Sequence, residues 1–361
     1  MKRREFLKKA GVGAAAAGAV AAPAIVKAQP TISWRLASSF PKSLDTIFGA
    51  GEYAAKLVNE MSGGKFTIRV FAGGEIVPGL QVLDAVQNGT VEIGHTAPYY
   101  YVGKDPTWAF GTAIPFGLNA RQYNAWWYFA SGDKLFNEFS EANGVVSLLA
   151  GNTGAQMGGW FRKEIKSLAD LQGVKMRIGG WGGQIMAKLG AVPQQIAGGE
   201  IYQALERGTI DAAEWVGPYD DEKLGFNKVA KFYYYPGWWE GGPALHLQVN
   251  KKSWEGLPKD YQAMLTAAAH GANEYMMAKY DAQNPAALRR LVASGTQLRA
   301  FPREMMEAAF KAANDLYAET AAKNAPFKKI YESYIAFRND SITWMRVTEN
   351  TFDDFMATVK K

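Results

Sequence analysis

The sequence predicts an α/β fold in which two similar lobes face a hinge cleft and a long helical arm follows. Strand-like and helix-like segments alternate along residues 31–96 and again along 144–215, which is typical of parallel sheets covered by helices. From Lys259 onward the pattern is almost wholly helical. With 361 residues, the chain is long enough to form two domains.

The first 28 residues are predicted to be an export signal of the twin-arginine (Tat) type. Arg3 and Arg4 precede Phe6 and an Ala/Gly-rich apolar run over 10–25, with small residues before Gln29. That run is too short and too rich in Ala and Gly to cross a bilayer comfortably, although a membrane anchor at the same place stays the alternative. The mature protein is therefore expected in the periplasm.

Most of the excess positive charge lies in this signal. The full sequence has 40 basic and 34 acidic residues, and the segment 1–28 holds six of the basic residues and one of the acidic ones. The remainder has 34 and 33, so its net charge is +1 instead of +6 and no nucleic-acid partner is expected. There is no cysteine, which excludes disulfides and thiolate metal sites, and His95, His246 and His270 lack metal-ligand spacing.

The first lobe is predicted over residues 29–152, with a return segment over 245–300. Strands are expected at 31–37, 65–71 and 91–96, with helices at 44–61 and 79–88 between them. This order predicts a parallel sheet with helices on its faces. A Ser-rich loop at 38–43 joins the first strand to the first helix, and loops at such steps often face ligands.

The second lobe is predicted over residues 153–244 and uses the same alternation. After a strand at 144–150, which belongs to the first lobe by these bounds, strands are expected at 174–178, 194–196 and 210–215, and helices at 166–172, 184–189 and 200–207. A strand at 244–249 then returns to the first lobe. Two lobes of similar construction imply a cleft between them.

The helical arm is predicted over residues 301–361. Pro302 opens a helix that runs from Arg303 to about residue 323, and helical periodicity continues over 327–359. The last segment carries an apolar stripe formed by Ile330, Tyr334, Phe337, Ile342, Met345, Phe352 and Phe355. Such a stripe needs an apolar surface to cover it, which either this chain or a second subunit would supply.

Glu214 is the first candidate for a binding site. It follows a short apolar strand and stands beside Trp215, just before Gly217 and Pro218 end the regular structure. In α/β proteins ligands bind outside the carboxyl ends of strands, so a carboxylate at this place is expected to face the cleft. A surface glutamate beside a packing tryptophan is the alternative interpretation.

Arg177 and Gln156 are the other polar candidates. Arg177 ends a predicted strand immediately before a Gly-rich turn that opens a helix, and both the guanidinium fork and a helix N-terminus favour an anion. Gln156 lies in a loop with Gly154 and Gly158, where a side-chain amide can approach a ligand. An exposed arginine paired with an acid and an ordinary loop glutamine are the alternatives.

The sequence offers two enzyme interpretations. The glycines at 180 and 182 resemble a dinucleotide-binding fingerprint in outline, but Ile185 stands where the third glycine is needed and breaks the pattern. Glu214 and Glu240 are the candidates for a carboxylate-pair hydrolase, and the sequence does not give their separation. The hydrolase therefore stays open at this point.

Four segments carry a more specific resemblance: 151–162, 173–178, 211–221 and 235–242. They resemble the solute-binding proteins of TRAP transporters, and more narrowly the periplasmic α-keto acid-binding members. The resemblance extends over residues 31–361. It implies a two-lobed periplasmic binding protein of type II-like architecture with a long C-terminal helix.

The resemblance also implies residue roles. Arg177 is expected to bind the substrate carboxylate, and Gln156, Glu214 and the Trp215 backbone carbonyl to hold a cation, Na⁺ or alternatively Ca²⁺. Gln156 and Trp215 would also contact the substrate, while Glu240, as a further cation ligand, and Tyr100 are second-rank residues of the cleft wall. Oxygen ligands suit such hard cations.

The function implied by the resemblance is capture of a 2-oxo acid such as pyruvate and its delivery to membrane permease subunits, without enzymatic activity. A binder of 2-hydroxy or sugar acids is the alternative within this class, and a secreted carbohydrate hydrolase is the alternative outside it. The α-keto acid-binding relatives form dimers by exchanging the C-terminal helix, so a homodimer is expected, with an arm folded across its own hinge as the alternative.

Overall fold

A computed structural model describes residues 29–359, so the signal predicted at 1–28 lies outside the described residues. The strands are β1 (Ile32–Ser38), β2 (Phe66–Phe71), β3 (Ile93–Thr96), β4 (Val145–Asn152), β5 (Gly159–Phe161), β6 (Lys175–Arg177), β7 (Val192–Gln194), β8 (Ala212–Ala213), β9 (Phe232–Tyr235), β10 (Ala244–Asn250) and β11 (Gln297–Ala300). They form two sheets within the unit that begins at Ser33.

The helices cover the sheets and then form the end of the chain. They are α1 (Ile47–Met61), α2 (Val82–Gln87), α3 (Ala120–Phe129), α4 (Gly132–Ala142), α5 (Gly180–Lys188), α6 (Ile201–Glu206), α7 (Pro218–Leu224), α8 (Lys251–Gly256), α9 (Lys259–Ala293), α10 (Arg303–Ala321), α11 (Ala325–Val347) and α12 (Glu349–Thr358). In the part of the chain from 29 to 359, no helix combines the length and hydropathy that a membrane span requires. The predicted α/β class with a long helical C-terminus is confirmed.

The first sheet has the strand order β2-β1-β3-β10-β4. β1 runs parallel to β3, with Leu36 opposite Ile93, whereas β10 runs antiparallel to both β3 and β4. All seven residues of β10 are buried, as expected for a strand paired on both edges and covered on both faces. The predicted return of the chain at 244–249 is thus correct.

The second sheet has the order β11-β9-β5-β8-β6-β7. β6 is parallel to β7 and β8, while β5 is antiparallel to β8 and β9. The sequence pattern assigned all of 245–300 to the first lobe, but β11 pairs with β9 in the second sheet. Its four residues follow a 35-residue helix and were hidden in the helical pattern.

Helix α9 connects the two sheets. Its buried face carries small residues such as Ala268, Ala269 and Ala272, which let the helix approach α1 and β4 closely, and it also contacts α7 beside the second sheet. Pro258 precedes its first turn, where a missing N–H has no consequence. One helix therefore lies against elements of both sheets.

The arm differs from the single helix predicted over 327–359, because it breaks at Thr348 between α11 and α12. Asn324 caps α11 by accepting a hydrogen bond from the Phe327 N–H at 2.8 Å. Tyr334 is buried against this chain's own body and accepts a hydrogen bond from the Leu118 N–H at 2.7 Å. The first half of the apolar stripe is covered in this way.

In the second half of the stripe Met345 is buried, but Ile342, Phe352 and Phe355 are exposed. Phe352 and Phe355 are 64% and 62% exposed, and the neighbouring Trp344, outside the stripe, is 60% exposed. Three exposed aromatic side chains on the last two helices are unusual for a monomeric soluble protein. The arm therefore carries both a buried face and an uncovered one.

Candidate functional site

Strand register brings Arg177 and Glu214 together. Arg177 ends β6 and lies opposite Ala213 of the parallel strand β8, so the next residue of that chain segment is Glu214. The Arg177 Nη1 donates to Glu214 Oε1 at 2.5 Å and to the Glu214 backbone carbonyl at 2.8 Å. The Gly179 N–H, at the start of α5, donates to the same Oε1 at 3.0 Å. Both predicted residues thus lie at neighbouring strand ends, as their sequence context indicated.

The ion pair between Arg177 and Glu214 is almost completely buried, since the two side chains are 1% and 0% exposed. Burial raises the pKa of Glu214, and the Arg177 charge and the Gly179 N–H offset that rise only in part. Burial alone would lower the pKa of Arg177, but the negative charge of Glu214 outweighs it and the net pKa is raised. Arg177 therefore remains a cation that can hold an anion.

One oxygen of Glu214 has no partner. Oε1 is held by Arg177 and Gly179, whereas Oε2 is buried and accepts no hydrogen bond from any described residue. A buried carboxylate oxygen without a partner is unfavourable, by about 1–3 kcal/mol or more. An additional cation or hydrogen-bond donor at this oxygen would remove that penalty.

Gln156 also has a buried side-chain oxygen without a hydrogen-bond partner. It lies between β4 and β5, where its backbone N–H donates to the Glu240 carbonyl at 3.3 Å and its carbonyl accepts from the Gly237 N–H at 2.9 Å. Its side-chain Nε2 donates to the Thr153 hydroxyl at 3.0 Å, while its Oε1 is buried without a partner. The loop therefore presents one bare amide oxygen.

A small cavity lies among these residues, with a volume of about 20 Å³. It is lined by Phe40, Ile47, Ala97, Tyr99, Tyr100, Thr112, Thr153, Gln156, Arg177, Trp215, Val216, Pro243 and Leu245. By the same measure a single water needs about 10–15 Å³, so the space in this arrangement holds one or two water-sized atoms. Four of the predicted site residues, Tyr100, Gln156, Arg177 and Trp215, line this one cavity.

The Trp215 and Tyr100 rings shape two of the walls. The guanidinium carbon of Arg177 lies 5.1 Å from the Trp215 ring centroid, which is a cation–π contact. The ring of Tyr100 stacks on that of Tyr99 with centroids 5.0 Å apart. Both aromatic side chains limit the width of the cavity around the Arg177 charge.

Glu214 and Glu240 do not line the cavity. Glu240 is 1% exposed, and neither carboxyl oxygen has a hydrogen bond of ordinary geometry, although the Tyr99 side chain lies close enough to lower its pKa. Burial raises the pKa of Glu240 well above its usual range, and the charge of Glu214 raises it further. Glu240 therefore lies behind the cavity wall.

The bare oxygens fit a hard cation. Gln156 Oε1 and Glu214 Oε2 are both buried oxygen atoms without partners. Among residues 29–359 there is no cluster of three or more His, Cys, Asp or Glu side chains that could hold a metal ion. A cation at this place would therefore need oxygens from the amide, the backbone and the ligand itself.

Several cavity residues were not identified from the sequence. Phe40 lies in the Ser-rich loop at 38–43, a kind of loop that often faces ligands. Thr153 directly precedes Gly154 in the loop that contains Gln156. Leu245 had no local signal, because it belongs to a strand that looks like ordinary core until β10 is paired with β4. Tertiary pairing, which a local pattern does not contain, places it in the wall.

Asp221 anchors the loop that carries Trp215. Its Oδ2 accepts hydrogen bonds from Trp160 Nε1 at 2.9 Å and from the Tyr233 hydroxyl at 2.6 Å. Burial raises the pKa of Asp221 to about 7, although these two hydrogen bonds lower it. A buried aspartate at this place makes stability depend on pH.

Asp221→Asn should gain stability relative to the parent protein as pH rises from about 4 to about 7. Between the ordinary Asp pKa of about 3.9 and the folded value, the folded parent holds a proton that the unfolded chain has released, so rising pH destabilises the parent. Asn has no such proton. Thermal melts at pH 4.5 and pH 8 measure the difference, and the exposed control Asp315→Asn should show no shift between them.

Comparisons with known proteins agree with this fold. A family model described as bacterial extracellular solute-binding protein, family 7 (DctP), matches residues 37–324. A monocarboxylate 2-oxoacid-binding periplasmic protein of Nostoc sp. is 52% identical over 99% of both chains.

Solved structures give the same result. A TRAP transporter solute-binding protein from Bordetella bronchiseptica, a mixed-occupancy dimer with copurified calcium and picolinate, is 52% identical and superposes with a TM-score of 0.90 over 91% of this chain and 98% of its own. Another from Pseudoalteromonas atlantica, with bound sodium and pyruvate, is 39% identical with a TM-score of 0.87 over 91% and 100%. The resemblance stated from the sequence motifs is confirmed, and this chain belongs to the DctP family of bacterial extracellular solute-binding proteins, family 7.

Proposed function

We propose that this protein is the periplasmic receptor of a TRAP transporter, which binds a short 2-oxo acid such as pyruvate together with a cation and delivers it to membrane permease subunits. The observation that carries the proposal is one cavity lined by both the buried Arg177 and Gln156, whose side-chain oxygen has no partner, while Glu214, bonded to Arg177, holds a second oxygen without a partner. A cation and an anion bound together would satisfy all three groups.

We assign separate binding roles to the residues of the site. The Arg177 guanidinium would donate to the substrate carboxylate through Nη2, because Nε donates to the Ile196 carbonyl and Nη1 to Glu214. Gln156 Oε1, Glu214 Oε2 and the Trp215 backbone carbonyl would hold the cation, with Glu240 and Tyr100 in supporting places at the wall. When bound, the cation supplies positive charge to the substrate's own oxygens, so the anion is compensated on two sides.

Na⁺ and Ca²⁺ are both proposed as possible cations. The two solved relatives contain sodium with pyruvate and calcium with picolinate. Oxygen ligands from an amide, a carboxylate and a backbone carbonyl accept either ion, whereas zinc and copper prefer the nitrogen and sulfur ligands that this site lacks.

The polarity of the cavity favours a 2-oxo acid over a 2-hydroxy acid. A keto oxygen is a pure acceptor and suits a bound cation without a proton to place. A carbohydrate hydrolase is not supported, since Glu240 is buried behind the wall and Glu214 is held by Arg177.

A melting-temperature screen tests the proposal. Pyruvate and other 2-oxo acids should raise Tm in sodium or calcium but not in choline buffer, and 2-hydroxy and sugar acids should raise it less. Stabilisation by a sugar acid alone, or release of a product from an oligosaccharide, would contradict the proposal.

Two lobes joined by a hinge are part of the proposal. The segments 153–158 and 236–243 each leave one sheet and enter the other, since β4 and β10 belong to the first sheet and β5 and β9 to the second. We assign residues 29–152 and most of 245–300 to one lobe, and 153–244 to the other. Gln156 and Glu240 lie on the two crossing segments and are joined by a backbone hydrogen bond. Ligand binding would therefore act directly on the hinge.

Export by a twin-arginine signal is also proposed, on the strength of Arg3, Arg4 and the apolar run that follows. The periplasmic character of the family supports the destination.

We further propose a homodimer through the C-terminal helices, supported by the exposed face of Trp344, Phe352 and Phe355. The double variant Phe352→Ser/Phe355→Ser should convert the dimer to a folded monomer, because it removes two large apolar side chains that this chain leaves uncovered. Light scattering after size exclusion gives the mass. The matched control Met61→Ser, an exposed apolar residue of α1, should stay dimeric. A parent protein that is monomeric at micromolar concentration would exclude the dimer.

A further inference from the structure

Thr153 makes two hydrogen bonds whose directions determine how Gln156 points. Its hydroxyl donates to the Gly154 backbone carbonyl at 3.0 Å. The same oxygen accepts a hydrogen bond from Gln156 Nε2 at 3.0 Å. A hydroxyl has a single proton, so once that proton is given to a carbonyl the oxygen can only accept from its other neighbour.

This arrangement decides which end of the amide faces the cavity. A primary amide carries an acceptor oxygen and a donor nitrogen of nearly the same shape, and either could point inward. Because Thr153 requires a donor, the nitrogen is held against it and Oε1 is left bare on the other side. Both Thr153 and Gln156 line the cavity.

The backbone around Thr153 is fixed from both sides. The Thr153 N–H donates to the Pro243 carbonyl at 3.1 Å, and the Asn152 side chain bridges the Gly154 N–H at 2.9 Å and the Gly242 carbonyl at 3.0 Å. The Gly154 carbonyl that takes the Thr153 proton therefore belongs to a rigid loop. The Thr153 hydroxyl is therefore held as a donor to the Gly154 carbonyl and as an acceptor from Gln156 Nε2.

We propose that Thr153 is a positioning residue for the cation: it orients the Gln156 amide so that oxygen and not nitrogen faces the site. This inference rests on the proposed function, since it assumes that Gln156 is a cation ligand. Without the hydroxyl the amide would sample both orientations, and the inward nitrogen would repel a cation. Affinity for the cation should then fall, whereas the Arg177 contact to the carboxylate is left in place.

The experiment compares Thr153→Val with Thr153→Ser in the mature protein. Val keeps the shape and removes the hydroxyl, and Ser keeps the hydroxyl and removes the methyl group. In Thr153→Val the Na⁺ concentration that half-saturates pyruvate binding, followed by tryptophan fluorescence, should rise about tenfold, the effect of losing roughly one hydrogen bond. Thr153→Ser should stay within about twofold of the parent.

A second measurement separates positioning from direct contact with the ligand. In a Gln156→Ala background, Thr153→Val should have no further effect, because there is no amide left to orient. The shift in Tm produced by Na⁺ or Ca²⁺ without pyruvate provides a readout that does not depend on the substrate, and it should shrink in Thr153→Val. If Thr153→Val does not fold, Thr153→Ala carries the same comparison.

Different results would overturn this inference alone or the proposed function with it. Equal cation dependence in Thr153→Val and the parent, an equal loss in Thr153→Ser, or full additivity with Gln156→Ala would each overturn the inference while leaving the proposed function intact. A parent protein that binds pyruvate equally well without any cation would overturn both.

Discussion

Arg177→Met should reduce pyruvate affinity by more than a hundredfold. The guanidinium is the one buried cationic side chain that lines the cavity within the described residues, so no other side chain there can form an ion pair with a carboxylate. Removing one partner of a buried charge pair costs about 3–5 kcal/mol, and each 1.4 kcal/mol is a tenfold change in affinity. Isothermal titration of the folded variant measures the loss.

Two controls keep this result interpretable. Arg162→Met removes an exposed arginine that follows β5 and should bind as the parent does. Arg177→Met also leaves Glu214 without its ion pair, so the Tm of the variant, measured beside the titration, shows whether lost stability explains lost binding. If folded Arg177→Met binds pyruvate with parental affinity, Arg177 does not hold the substrate.

Glu214→Gln should weaken cation and pyruvate together. In the proposed site the carboxylate supplies charge to the cation, and the cation supplies charge to the substrate. Linkage requires that each ligand improves the affinity of the other by the same factor, and this factor should fall at least about tenfold in the variant. Titrations of pyruvate at several Na⁺ concentrations give the factor directly.

The control for this prediction is Glu222→Gln, which removes a half-buried carboxylate paired with Arg290 and should leave the coupling factor unchanged. A Glu214→Gln variant whose pyruvate affinity falls while the response to Na⁺ stays parental would contradict the role given to Glu214. It would assign the carboxylate to holding Arg177 alone.

The polar centre of the site could be predicted because strand ends have local signals. Arg177 precedes a Gly-rich turn and Glu214 precedes Gly-Pro, and chain segments that end in this way place their last side chains at the edge of a parallel sheet. The structure brings the two within hydrogen-bond distance. The place of Glu240 could not be predicted, because the Gly-rich segment around it gives no direction to its side chain.

The parts of the fold that were missed are short or ambiguous. β5 has three residues and β9 has four, which is too few for a period-two pattern to stand out. α3 contains Trp126, Trp127, Tyr128 and Phe129, and such aromatic runs suit strands as well as helices; its capping box between Asn119 and Gln122 was the available signal.

The packing of the C-terminal arm could be predicted only in part. Its apolar periodicity indicated that a surface must cover one face of the helix, but not whether this chain or a second subunit supplies that surface. Tyr334 packs on this chain, whereas Phe355, seven residues after the break at Thr348, remains exposed on α12. Periodicity gives the direction of a helical face and contains no information on whether the covering surface belongs to the same chain.

Titration of pyruvate into the mature protein, stripped of metal and dialysed into choline buffer, is the most direct test of the central claim. We expect no measurable heat or fluorescence change in choline, and saturable binding at one site per chain after sodium or calcium is added. Equally tight binding of pyruvate in choline and in sodium would contradict the account, because the bare oxygens of Gln156 and Glu214 would then have no cation to hold.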